Sequence, residues 1–331
     1  ASLAGAEFTI VNASKATSIN YADNEIKNAP LAGTDVTYSQ VLQYAKDPSY
    51  VMETITTDKK GNAQTSKHTC STFQGKESLP YGTYYVIETK APEGYFVNTT
   101  WVGMVTVTAK DIVYTPTVIQ GKDYHRTELH SSIKIVDGDE YGTRDQIWRS
   151  GVRVFKTDLE MKDATPQGDA TLKNATFRII NISDAPSRNY QDEDIPTAKA
   201  VLGNKRDWKS VSDLDDKYTM QRITTDEQGV AQTAKDALPY GTYLIVEEQA
   251  PDGYLLNGET VARVVVRDDN KLITLGDNAS ARGSVCDLVT KGDQLSDDSF
   301  DDAVRRGDLW FLKVNIDGEY KQYIPFLISH I

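Results

Sequence analysis

The chain has 331 residues, 39% of them hydrophobic and 25% charged, an ordinary globular composition at a length that suits two or three domains. Its 36 Lys and Arg against 48 Asp and Glu leave a formal charge of −12, which argues against a nucleic-acid partner and against binding an anionic membrane. No run of about 18 apolar residues occurs, so no bilayer span is expected, and Cys70 and Cys286 cannot make a disulfide framework or a thiolate zinc site.

Taken in chain order, the text begins with an alternating segment, Leu3 to Asn12, that reads as a strand. Tyr38 to Ala45 can hold a helical turn. Asp58-Lys59-Lys60-Gly61 marks a turn, and a longer loop, Ser66 to Ser78, leads into Leu79-Pro80-Tyr81-Gly82. The run Thr83 to Lys90 that follows is rich in β-branched and aromatic residues and is closed by Ala91-Pro92-Glu93-Gly94-Tyr95. It reads as one strand between two turns. Side chains alternate along a strand, so Tyr84, Val86 and Glu88 share a face. If that is the core face, a carboxyl group sits inside, and it must be protonated or partnered. Val102 to Val107 continues the alternation, and Asp145-Gln146-Ile147-Trp148-Arg149 ends the unit.

The same order then recurs. Gly151-Val152-Arg153-Val154-Phe155-Lys156 comes first, with Val152, Val154 and Lys156 on one face. Phe177 to Asn181 repeats the first strand, the Trp208 region repeats the helical interval, and Asp226 to Gly229 repeats the turn. Leu238 to Tyr254 repeats the Pro-Tyr-Gly strand with Glu247 in the place of Glu88, and Asp302 repeats Asp145. Lys313 follows Asp302 at the spacing by which Lys156 follows Asp145, and Ile324 to Ser329 begins the repeat again. Preserved order with small drifts at loops means homologous units. The boundaries predicted are 1–146 for a unit lacking its lysine strand, 147–304 for a complete one, and 305–331 for the first strands of a third. Both ends fall in strand-like text, as in a piece of a longer protein. Short, regularly spaced strands separated by turns make the expected fold class all-β, as tandem immunoglobulin-like or prealbumin-like sandwiches. The two helical stretches are expected to be insertions decorating the sandwich.

The repeated Tyr-x-x-x-Glu-x-x-Ala-Pro-x-Gly-Tyr box, the Val-x-Val-x-Lys-x-Asp first strand and the terminal aspartate resemble the Cna B-type, prealbumin-like domains of Gram-positive surface adhesins and pilins. The resemblance implies a spontaneous intramolecular isopeptide bond, with Lys156 as nucleophile, Glu247 as proton shuttle and Asp302 as acceptor. Many relatives use Asn as acceptor, so aspartate is a departure here. Asp287, on another late strand in the text, is a second choice for the acceptor, and Asp137 is its counterpart in the first unit. A dry core favours the uncharged amine and the protonated carboxyl, and holding them together replaces an external catalyst. Glu88 and Asp145 lack a lysine in their own unit, and Lys313 lacks its glutamate. The competing reading of all three groups is an unreacted buried ion cluster.

What the resemblance implies for the whole is a stalk segment of an extracellular, cell-wall-anchored protein, with no enzyme activity and no cofactor. Its partners would be neighbouring repeats of the same polypeptide. The alternative is an adhesin module that recognises a host matrix protein or glycan through the Ser66–Ser78 or Tyr38–Ala45 insertion. Arg306-Gly307-Asp308 spells an integrin-type tripeptide but also occupies a domain junction. Asp137 to Gly142 half-resembles a calcium loop, with Tyr141 and Trp148 where oxygen ligands should stand. The histidines, His68, His125, His130 and His330, have no nucleophile at a recognised spacing.

Overall fold

The computed structural model describes residues 2–67, 78–108, 145–276, 283–291 and 299–309, with the backbone of three further strands, Val113–Tyr114, Thr117–Gln120 and Leu129–His130. The all-β expectation is borne out: the described elements are mostly strands in antiparallel sheets. Two five-stranded sheets share one plan. In the first the order is Val51–Thr56, Glu7–Asn12, Gly82–Lys90, Val102–Val107, Thr117–Gln120. In the second it is Thr219–Thr224, Thr176–Asn181, Gly241–Gln249, Val261–Val266, Val285–Thr290. The repeated text thus becomes a repeated topology, with the Pro-Tyr-Gly strand at the centre each time.

A second layer covers the second of these sheets. The strand Arg149–Asp158 runs through its middle. It pairs antiparallel with Val230–Gln232 and Leu238–Pro239, and parallel with Leu272–Thr274 and Phe300–Asp302. Val152 and Val154 are fully buried while Arg153 and Phe155 are not, the alternation that the sequence leads one to expect. Their face closes on Phe177, Ile179, Tyr243, Ile245, Val264 and Phe300 in one core.

The central strands depart from the half-buried pattern. Tyr243 to Glu247 are all buried, as are Tyr84 to Glu88. The reason is the helical insertions, which cover the opposite face of each sheet. Val41 and Tyr38 of the helix Tyr38–Ala45 pack with Tyr85 and Ile87. Val211 of the helix Trp208–Ser212 and Leu202 of Lys199–Leu202 pack with Leu244 and Val246. The insertions are therefore a third layer of the fold and not decoration. The first helix is fixed at its start by a capping box, with Gln40 N donating to Thr37 Oγ1 at 3.3 Å and Thr37 N to Gln40 Oε1 at 2.8 Å. No helix among the described residues is long and apolar enough to cross a membrane.

Candidate functional site

The lysine strand and the short strand Phe300–Asp302 lie side by side in parallel, with Lys156 opposite Phe300 and Asp158 opposite Asp302. This register puts Asp302 two residues beyond the lysine, on the same side of the sheet as Phe300. Across the core, Glu247 stands opposite Phe177 on the central strand. Lys156 Nζ donates to Glu247 Oε2 at 2.9 Å and contacts Asp302 Oδ1 still more closely. All three side chains are 0% exposed. Phe177, opposite Glu247, and Phe300, opposite Lys156, pack their rings together with centroids 4.8 Å apart.

The electrostatics follow from that burial. Desolvation above all, with Asp302 adding and Lys156 opposing, pushes the Glu247 carboxyl up to about 8. Desolvation also raises Asp302, against the pull of Lys156. At neutral pH two carboxyl groups beside one lysine therefore favour sharing a proton. This cluster can move a proton between an amine and a carboxyl group without water.

The alternative acceptor is elsewhere. Asp287 sits on Val285–Thr290 opposite Arg263, which donates to it through Nη2 at 2.8 Å and Nε at 3.2 Å in a partly exposed pair. Asp137 and Lys313 lie outside the described residues.

In the first unit Glu88 is buried. Its Oε2 accepts from the Asn98 N–H at 2.6 Å. Burial pushes this carboxyl up to about 8 as well; the Asn98 hydrogen bond opposes the rise and the charge of Asp145 adds to it. Asp145 is likewise raised by burial, with a hydrogen bond to Glu88 opposing. The glutamate and aspartate of the motif thus meet in both units. Among the described residues, no lysine or arginine forms an ion pair with the first pair.

Phe300, opposite Lys156, is a site residue that lies outside the repeated motifs. Its signal was available: it precedes Asp302 by two residues, so the pleat places both on one face. Asn257, whose Nδ2 donates to the Asp301 carbonyl at 2.9 Å, left no comparable trace, since it ties a loop to the Phe300–Asp302 strand only through tertiary contact.

The sequence model of the SpaA family, described as a prealbumin-like fold domain, matches residues 1–120 and 157–279. The chain belongs to this family. No curated protein matches the sequence. Among solved structures, the Bacillus anthracis TIE protein is similar at 20% identity and a TM-score of 0.35, over 82% of this chain and 30% of that one. A C-terminal fragment of the pilus adhesin SpaC from Lactobacillus rhamnosus GG is similar at 14% identity and a TM-score of 0.32, over 94% and 91%. The shaft pilin SpaA of the same organism is similar at 18% identity and a TM-score of 0.23, over 82% and 86%. The chain therefore spans less than a third of the length of the TIE protein and most of the length of the two Lactobacillus structures.

Proposed function

We propose that this chain is a structural segment of a Gram-positive surface pilin or adhesin, and that its second unit ties its first and last strands together through an amide between Lys156 and Asp302. The observation that carries the reading is the fully buried contact of Lys156 Nζ with Asp302 and, at 2.9 Å, with Glu247. In the reacting form the amine is uncharged and the Asp302 carboxyl holds its proton. Nζ attacks Cγ of Asp302, and Glu247 takes a proton from the nitrogen as the N–C bond forms. Glu247 then returns that proton to the departing hydroxyl, the C–O bond breaks, and one water leaves. Fixed proximity in a dry core supplies the driving geometry. The reaction turns over once and leaves a crosslink, so its product is mechanical: force entering Arg149–Asp158 leaves through Phe300–Asp302 along covalent bonds.

The SpaA-family membership and the sandwich topology support a stalk role and an extracellular, cell-wall-anchored location. The insertion Tyr38–Ala45 spends its apolar face on its own sheet, which favours a stalk over recognition through that helix. In the same way Arg306, the first residue of the Arg-Gly-Asp tripeptide, is paired with Glu160.

Intact mass tests the bond. The chain is expected one water lighter than its sequence, with a branched tryptic peptide joining the Lys156 and Asp302 segments. Glu247→Ala and Asp302→Ala are expected to keep the full mass. A wild-type chain of full mass would overturn the reading, and so would a branched peptide that ends at Asp287.

A further inference from the structure

The two glutamates share a second feature. The ladder between Gly241–Gln249 and Val261–Val266 ends at the Val246–Val261 pair, one residue before Glu247. On the other side the register with Thr176–Asn181 slips: Phe177 faces Glu247 but Thr176 faces Gln249, leaving Glu248 as an extra residue. A bulge of this kind breaks pairing and re-aims the neighbouring side chain. Glu247 therefore sits at the frayed end of one ladder and the edge of a bulge. Its carbonyl is taken by the indole of Trp208, whose Nε1 donates at 3.0 Å. The first unit repeats the arrangement with different chemistry. Its ladder ends at Val86–Gly103 and its register slips past Glu88, with Thr89 extra. The Glu88 carbonyl accepts from the Tyr38 hydroxyl at 2.8 Å.

Trp208 and Tyr38 hold the same place, the first residue of an inserted helix whose start is capped by the side chain just before it, Asp207 or Thr37. The capped helix start fixes where the ring stands. The indole also packs over Gly258, where a Cβ would come within 3.6 Å of it. Indole and phenol share little except an aromatic body with one hydrogen-bond donor at its tip, and that donor is what each unit aims at its glutamate's backbone.

We propose that Trp208 is a positioning residue for amide formation in the second unit: its N–H pins the Glu247 backbone at the bulge, so that the carboxyl stays directed at Lys156 and Asp302. Tyr38 is the corresponding pin for Glu88. The proposal rests on the amide reading above and deepens it. A small misplacement of a reacting group slows a reaction far more than it unsettles a fold. The helical layer thus ties the reaction to completion of the whole sandwich, since the pin is in place only once the insertion has docked.

The test compares three substitutions during cell-free synthesis, with intact mass followed over time. Trp208→Phe keeps a ring and loses the donor; water loss is expected to slow by about tenfold, the cost of roughly one hydrogen bond. Trp208→Tyr restores a donor, as in the first unit, and is expected to recover most of the rate. Tyr38→Phe is expected to leave the mass change untouched, because it pins the other unit. If the Phe and Tyr variants at 208 react alike, packing alone matters and the proposal fails. A second readout separates this outcome from failure of the amide reading. The Glu247 carboxyl is followed by carbon NMR in Asp302→Ala, where no amide can form. Trp208→Phe added to that background is expected to move its titration toward the ordinary range, and Trp208→Tyr to leave it raised. Equal titrations would overturn the pin even if the wild type proved to keep its full mass.

Discussion

Two aspartates on late strands differ in what surrounds them, and that decides which can matter. Asp302 is almost fully buried against Lys156, whereas Asp287 shares a partly exposed pair with Arg263. Exposed ion pairs contribute roughly 0–1 kcal/mol, so Asp287→Ala is expected to keep the mass deficit and shift the melting point only slightly. Asp302→Ala is expected to lose the deficit and much of the stability, because an amide closing the chain between residues 156 and 302 is worth about 5 kcal/mol by chain entropy. Differential scanning calorimetry beside intact mass checks both. At the first unit the same carboxyl pair gives a pH dependence. Glu88 and Asp145 are both raised in the folded state, so the folded chain holds protons that the unfolded chain has released. Stability is then full below the ordinary carboxylate range and is lost as pH rises toward about 8, at up to about 1.4 kcal/mol per pH unit for each proton. Thermal melts between pH 5 and 8.5 are expected to show this decline in the wild type and a flatter line in Glu88→Gln. Parallel declines would assign the effect to other groups.

At the scale of elements, the turn Asp226–Gly229 is what holds the lysine strand from the side. Gly229 has φ +74 and its carbonyl accepts from Lys156 N at 2.7 Å. A Cβ on Gly229 would meet the Lys156 carbonyl oxygen at 2.6 Å, a backbone atom that cannot swing aside. Gly61, its counterpart, also has a positive φ, but there a Cβ would touch only the Leu3 side chain, at 3.3 Å. Gly229→Ala is therefore expected to cost more than Gly61→Ala. Each carries strain of about 1–3 kcal/mol for a left-handed non-glycine residue, and only the former adds a backbone collision, at Lys156. Denaturant midpoints compare them, and equal losses would mean that the turn yields without disturbing the strand.

For the whole molecule, the joint between units is a packed one. Trp148 N donates to the Gly94 carbonyl at 2.7 Å, and the Trp148 ring lies edge-on to both Phe96 and Tyr240, at 6.2 and 6.5 Å. The Tyr240 hydroxyl donates to Glu93 Oε1 at 2.7 Å, and Arg267 covers its ring at 4.3 Å. Gly94, with φ +90, leaves the room that the Tyr240 ring occupies; a Cβ there would come within 2.6 Å of it. Such a contact limits bending between the units, which the proposed stalk role would call for. Tyr240→Ala is expected to broaden the distribution of inter-unit distances in small-angle scattering, while the second unit's melting point moves by little. An unchanged scattering profile would place the stiffness of the joint in its backbone bonds instead.

The text alone determined the strand class, the repeat and the Lys–Glu–Asp constellation, because each depends on local periodicity and on motifs that recur in order. Alternation placed Lys156 and Glu247 on core faces, and the common spacing to the next lysine singled out Asp302 beside Asp287. Tertiary structure decided the rest. Only the parallel pairing of Arg149–Asp158 with Phe300–Asp302 separates the two aspartates in space, since strand neighbours far apart in sequence leave no local trace. Burial of the central strands on both faces came from helices packed across the sheet, which alternation within one strand cannot report. Trp208 and Tyr38 looked like ordinary aromatic residues in an insertion. Their meaning lies in a carbonyl about 40 to 50 residues away, just past the end of one strand ladder and beside a bulge in the other, and both exist only once the strands have found their register.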